Sequence, residues 1–244
     1  MSKGSIRLSS NIVINDDERI DDLMTDGLKI IQSVDVFRFG IDAVLLSKFC
    51  SVPKHGKILD LCSGNGVIPL LLSQRTKAEI KAVEIQERLA EMAIRSIRLN
   101  GLDEQIEMIH LDLKEASAYF GIGQFDLVTV NPPYLPIDWG QISENQHVAF
   151  ARHEVGCTLD DVLVAASKLV TNGGKFAMVY RATRLVDAIE KMRAYRLEPK
   201  RIQFVHGRID LEPQMVLIEG IRNGKPELRI MPPLIIQEAG EPNA

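Results

Sequence analysis

Cysteine is scarce in this chain. Cys50, Cys62 and Cys157 are the only three, they stand far apart, and they form no C-x-x-C pair and no Cys/His set at zinc spacing. That pattern argues against a disulfide framework and against a metal site, and it predicts reduced thiols in a cytosolic protein. The five histidines are equally scattered, and none is a candidate ligand or catalyst. Long hydrophobic runs are missing as well. V-I-P-L-L-L falls well short of the roughly 18 apolar residues that a membrane span needs, and the opening M-S-K-G-S-I-R-L-S-S has no signal-peptide core, so a cytoplasmic chain without a membrane partner is expected. There is no internal repeat. Strong charge of one sign is also absent: the net charge is −4 with a pI near 5.8, which does not advertise nucleic-acid binding. The charge is uneven, however. Positions 181 to 229 hold 11 Lys and Arg against 7 Asp and Glu, an excess of +4 that leaves −8 for the remainder and allows either a basic C-terminal face or a merely solvated surface.

What is present is enough to fold. With 244 residues, 45% of them hydrophobic, the chain can bury a core of its own as one domain with small additions. From Lys57 onward, short β-rich runs alternate with amphipathic segments. K-I-L-D-L-C (57 to 62) reads as a buried strand, V-I-P-L-L-L-S-Q-R (67 to 75) as a helix and I-K-A-V-E-I (80 to 85) as a strand. The segment from 87 to 101 is a helix with Leu89, Met92, Ala93 and Ile97 on one side and a stop at Asn100-Gly101. Strands follow at 106 to 112, 125 to 131 and 175 to 180, with a helix, T-L-D-D-V-L-V-A-A-S-K-L-V, before the last. Such an alternation demands crossovers and hence a parallel sheet covered on both faces. R-I-Q-F-V-H and Q-M-V-L-I-E-G-I are joined too closely for a helix and should pair antiparallel, with L-R-I-M-P-P-L-I-I along the sheet edge. The expected fold is α/β: a Rossmann-like, doubly wound, seven-stranded sheet, mostly parallel with an antiparallel C-terminal strand. It spans 56–236, after a short N-terminal β-hairpin and helix extension (1–55) in which L-K-I-I-Q and D-V-F-R-F make the hairpin, and before a disordered tail, 237–244.

L-D-L-C-S-G-N-G-V-I-P-L is a strand, a glycine turn and a helix, the setting in which a glycine motif carries meaning. Gly64 and Gly66 allow a tight turn and close approach of a ligand. This is not the dinucleotide fingerprint, because its third glycine would fall on Pro69; a proline is tolerated in the first helical turn, so the helix survives while the case for NAD or FAD weakens. Acids recur at strand ends. Glu84 lies twenty residues past the glycine turn, where a carboxylate accepts from both ribose hydroxyls; Asp112 can accept from an exocyclic adenine amine, and Asp60 can meet a cationic amino group directly or through water. Because the carboxyl ends of parallel strands line one crevice, Asp60, Glu84, Asp112 and Asn131 should converge there.

Together these residues resemble the Rossmann-like methyltransferases that depend on S-adenosyl-L-methionine (SAM). D-L-C-S-G-N-G resembles their first motif, V-E-I their ribose-binding acid, L-D their adenine-binding acid, and N-P-P-Y the [DNS]-P-P-[YFW] signature of members that methylate amines. The family often has glycine where Cys62 stands, which touches the fit around the methionine part of SAM. V-F-R-F-G-I-D-A-V-L-L further resembles the bacterial small-domain methyltransferases acting on N6 of an adenine beside the anticodon of a valine tRNA. That resemblance implies that Phe39, Gly40 and Asp42 close over SAM; physics alone equally allows a helix entry with Asp42 stabilised by the dipole. A-R-H-E (151 to 154) also resembles that family, with no mechanism attached.

N-P-P-Y gives the resemblance a chemistry. An exocyclic amine is a poor nucleophile until acceptors for both its hydrogens localise its lone pair. Asn131 offers a side-chain carbonyl and Pro132 a main-chain one, preset by consecutive prolines. Pro133 and Tyr134 fall on the substrate side, with Tyr134 stacking on an extruded base. Residues 135 to 155, including Trp139, are expected to form a mobile substrate-facing loop. The reading is a SAM-dependent N-methyltransferase of tRNA adenine, with protein glutamine N5 and ribosomal-RNA guanine N2 as rival amines and a non-catalytic SAM-binding RNA adaptor as the rival of another class. The oligomeric state is open, with a monomer favoured.

Overall fold

The computed structural model describes residues 6–7, 12–23, 25, 27–33, 40–133 and 157–236. D-V-F-R-F, Trp139, Ala151 to Glu154 and the tail from 237 all lie outside the described residues.

Four strands precede the main sheet: β1 (Ile6–Arg7) pairs antiparallel with β2 (Val13–Ile14), and β3 (Glu18–Asp22) with β4 (Lys29–Ser33). K-I-I-Q pairs with E-R-I-D-D, ahead of it in sequence; the expected partner D-V-F-R-F is among the residues not described. Ile31, fully buried, joins Ile12, Ile14, Leu89 and Met92 in a small satellite core. The hairpin is docked by an ion pair: Arg95, on the helix beneath, meets the nearly inaccessible Glu18 at 2.6 Å and donates to the Val13 carbonyl at 2.7 Å. Burial works against charging Glu18, but Arg95 and Asn15 outweigh it and hold its carboxyl below the usual range.

After α1 (Ile41–Phe49) the expected alternation appears: β5 (Lys57–Leu61), α2 (Val67–Ser73), β6 (Glu79–Glu84), α3 (Glu87–Leu99), β7 (Ile106–His110), α4 (Ala116–Phe120), β8 (Phe125–Val130), α5 (Leu159–Leu169) and β9 (Val170–Arg181). A 3₁₀ turn (Ala182–Arg184) and α6 (Leu185–Ala194) lead to β10 (Leu197–His206), β11 (Met215–Arg222), β12 (Arg229–Ile230) and β13 (Leu234–Ile235). The order across the sheet is β12-β10-β11-β9-β8-β5-β6-β7, with β13 also on β10. Seven strands carry the sheet and the two-residue β12 and β13 decorate one edge. β11 runs antiparallel to both β9 and β10; the other pairings are parallel. Pro69 does sit inside the first turn of α2, and α3 ends at Asn100 with Gly101 at φ 65° and Leu102 N–H reaching back to Ile97 O at 3.1 Å.

Strand periodicity sorts the apolar residues into two layers. Ile58, Ile80, Leu127 and Val179 face α1, α2 and α3, whereas Leu59, Val83, Val128 and Met178 face α4, α5 and α6. The order of the strands reverses between β5 and β8: from β5 the sheet grows through β6 to β7, and from β8 through β9 the other way, with α2 on one face and α5 on the other. That switch point opens a crevice at the carboxyl ends of the two strands.

One end of α1 is fastened firmly. Arg75 donates to the Ser47 and Cys50 carbonyls and Arg201 to that of Phe49, cations at the negative end of the helix. Buried Glu219, on β11, accepts from Ser51 N–H at 2.6 Å, Ser51 Oγ at 2.9 Å and Arg201 Nε at 3.0 Å. The Arg201 guanidinium also lies 4.4 Å over the Phe49 ring.

Candidate active site

The turn after β5 is built from left-handed backbone: Cys62 at φ 55°, Gly64 at 55° and Gly66 at 88°. Glycine adopts this region freely, while a residue with a Cβ is held there at a cost of about 1–2 kcal/mol. A glycine at position 62 therefore has a physical rationale. Gly66 is needed twice over, because a Cβ there would come within 3.1 Å of the Ala93 Cβ on α3.

The turn is tied to the end of β6. Ser63 N–H donates to the Val83 carbonyl at 3.0 Å and Gly64 N–H to Glu84 Oε2 at 2.8 Å, while Gln86 N–H donates to Glu84 Oε1 at 2.9 Å. Burial raises the pKa of Glu84, opposed by the N–H groups of Gln86, Gly64 and Ile85. With about four acceptor directions on a carboxylate, Glu84 keeps one open for a further donor.

The crevice encloses about 840 Å³ of empty space, open solvent at its mouth included. Cys62, Gly64, Glu84, Asp112, Asn131 and Pro133 all stand on its wall. Ser63, Asn65, Ile85, Gln86, Leu89 and Leu113 stand there too and were not singled out from sequence. Ile85 carried a signal: it is apolar, directly follows the strand-ending acid, and is 38% exposed. With Leu113 it gives the crevice flat apolar surfaces beside two carboxylates.

Asp60 departs from expectation. It shares the sheet face of Thr129 and is fully buried beneath the crevice wall, its carboxylate accepting from Thr129 Oγ1 at 2.6 Å and from Ser63 Oγ. Burial pushes its pKa up to about 7; the Ser63 and Thr129 hydroxyls counter this and the charge of Glu84 adds to it. Ser63, whose hydroxyl donates to Asp60, stands on the crevice wall, and Asp60 does not. Cys62 shares the wall with Cys157, whose thiol, together with burial, raises the Cys62 pKa far up and keeps it protonated.

Asn131 follows the last residue of β8. Its Nδ2 donates to Asp42 Oδ2 at 3.0 Å, while its Oδ1 is buried with no hydrogen-bond partner among the described residues. Pro132 is buried behind it. Gly40 and Asp42 sit at the start of α1 near this amide rather than on the crevice wall, which α1 reaches through Ala43. Phe39 and Tyr134 lie outside the described residues. The basic excess of positions 181 to 229 does not form one face: Arg181, Arg184 and Arg208 stand at the crevice end of the sheet, and Arg196, Lys200 and Arg222 at the opposite end. Among the described residues no cluster of His, Cys, Asp and Glu could hold a metal, and no helix is long and apolar enough to cross a membrane.

Residues 29–195 match the family "Methyltransferase small domain". A "tRNA1(Val) (adenine(37)-N6)-methyltransferase" of Porphyromonas gingivalis is 30% identical over 191 residues, 75% of this chain and 73% of the relative. The protein of the same name from Parabacteroides distasonis is 30% identical over 182 residues, covering 75% and 76%. Among solved structures, a "predicted O-methyltransferase" from Agrobacterium tumefaciens superposes with a TM-score of 0.65 at 23% identity, over 82% of this chain and 89% of that one. A geranyl diphosphate methyltransferase in complex with SAM superposes at 0.54 with 15% identity, over 74% and 84%. At those identities the superpositions speak for the fold.

Proposed function

The chain belongs to the methyltransferase small domain family and is a SAM-dependent methyltransferase, and on that premise we propose that it methylates N6 of an adenine beside the anticodon of a valine tRNA. The observation that carries the choice of an amine is the Asn131 side chain: a buried carbonyl oxygen without a partner among the described residues, at the crevice mouth and directly before two prolines.

The residues present fit SAM. In this reading Glu84 accepts from a ribose hydroxyl, Asp112 accepts from the adenine amine, Ile85 and Leu113 flank the ring, and the Ser63–Gly64 backbone takes the methionine end. Bound SAM supplies an electrophilic methyl on a sulfonium leaving group. The chain's own residues prepare the nucleophile: Asn131 Oδ1 and the Pro132 carbonyl accept the two hydrogens of the exocyclic amine and localise its lone pair toward the methyl. Both acceptors are fixed before the base arrives, so the stabilisation is present at the transition state without reorganisation. Pro133 and Tyr134 face the base, which must leave its stack to enter.

An RNA substrate is supported by the names of the relatives. This reading also puts the protein in the cytoplasm with its tRNA. The test is incubation with methyl-labelled SAM and either total tRNA from a strain lacking the modification or a release factor. Label recovered as N6-methyladenosine in tRNA is expected. Label confined to the protein fraction overturns the RNA assignment.

A further inference from the structure

An asparagine amide has two ends of nearly the same shape and opposite polarity. Turned by half a rotation, Asn131 would aim an NH₂ at the substrate amine and repel the hydrogens it is meant to accept. Something has to choose the end. Asp42 Oδ2 lies 3.0 Å from Asn131 Nδ2, and a carboxylate only accepts, so this contact tolerates the nitrogen and rejects the oxygen. We propose that Asp42 is a positioning residue that locks the Asn131 amide with its oxygen toward the methyl acceptor; the proposal rests on the amine-methylation reading above.

The carboxylate is itself well held. Asp42 is buried, and its Oδ1 accepts from Ala43 N–H at 3.0 Å. Gly40 makes the space: a Cβ at that position would lie 2.6 Å from Asp42 Oδ1. Asp42 occupies the first turn of α1, and the other end of that helix is fastened by Arg75, Arg201 and Glu219. Asp42 does not stand on the crevice wall, although its neighbour Ala43 does. Its Oδ2 accepts from Asn131, 89 positions away in sequence.

Three measurements test this. Asp42→Ala should lower kcat at least tenfold and leave the Kd for SAM within threefold; a rise in Kd that accounts for the lost rate overturns the proposal in favour of a cofactor contact. Asn131→Asp sets two carboxylates against each other and should be nearly inactive. Adding Asp42→Asn restores a donor–acceptor pair of reversed polarity, with a carboxylate oxygen still facing the amine, and should recover kcat at least tenfold over Asn131→Asp alone. No recovery in a double variant that melts with the wild type sinks the idea. The third measurement needs no substrate: with ¹⁵N-labelled asparagine, one side-chain N–H of Asn131 should be shifted downfield and slow to exchange in the wild type, and lose both properties in Asp42→Ala. An Asn131 signal indifferent to that substitution refutes the lock. If the wild type transfers no methyl to tRNA, the substrate assignment fails, while the spectrum still decides whether Asp42 orients the amide.

Discussion

Gly64 and Glu84 are joined across the head of the crevice by an N–H···O bond of 2.8 Å. The glycine that lets the chain turn also holds an acid of the crevice wall, so the first two motifs form one unit. A carboxylate accepting at both oxygens from backbone N–H groups is prevented from rotating.

Glu84→Gln replaces one of those oxygens with a donor and should weaken SAM binding by about 10- to 100-fold, corresponding to one or two lost hydrogen bonds to a charged group. Isothermal titration of SAM reads this directly. An unchanged Kd removes Glu84 from the cofactor site.

Asn131→Ala should cost orders of magnitude in turnover with little change in SAM affinity, since the acceptor it removes acts on the amine. Single-turnover methylation together with equilibrium SAM binding separates the two. A collapse of SAM binding would reassign Asn131 to the cofactor.

Cys62 is held at φ 55°. Cys62→Gly should stay within about 1 kcal/mol of the wild type despite losing a side chain, because glycine takes that backbone without strain, while Cys62→Val should destabilise by roughly 2 kcal/mol. Urea unfolding of the pair shows the order; the reverse order refutes a strained turn.

The raised pKa of Asp60, about 7 in the folded protein, has a definite sign. Burial favours the protonated acid, so the unfolded chain gives up this proton first as pH rises. The stabilisation is complete below the unfolded value near 4 and is lost progressively up to the folded value. Asp60→Asn should flatten that decline between about pH 4 and 7 in the urea midpoint. An identical pH profile for variant and wild type would falsify this account of the buried acid.

The alternation after Lys57 was legible because each central strand is buried on both faces and so reads as an apolar run set off by turns. The reversed β11 followed from the short connection before it. E-R-I-D-D was hidden for the opposite reason: four of its five residues are charged and its pairing depends on β4 and on Glu18 finding Arg95. Helix α6 is missing from the expected series, since only Ala188 and Met192 of it are buried. In the site, the strand-end acids and the glycine turn stood out because each lies where a strand meets the crevice. Asp60 was placed at the right strand end and the wrong depth, because Ser63 interposes itself by a turn of backbone no pattern announces. The bond from Asp42 to Asn131 joins residues too remote in sequence for spacing to reveal.

The anchoring of α1 bears on how the enzyme is made. Arg201 and Glu219, which secure the C-terminal end of that helix, are among the last residues of the sheet to be synthesised. A nascent chain that has just emitted N-P-P-Y already holds the described crevice wall except Cys157, yet lacks two of the groups that seat the helix bearing Asp42. A product ending before Arg201 would lack β11, which pairs with β9, as well as the residues that seat α1, so the finished sheet and the seating of that helix arrive together, late in translation.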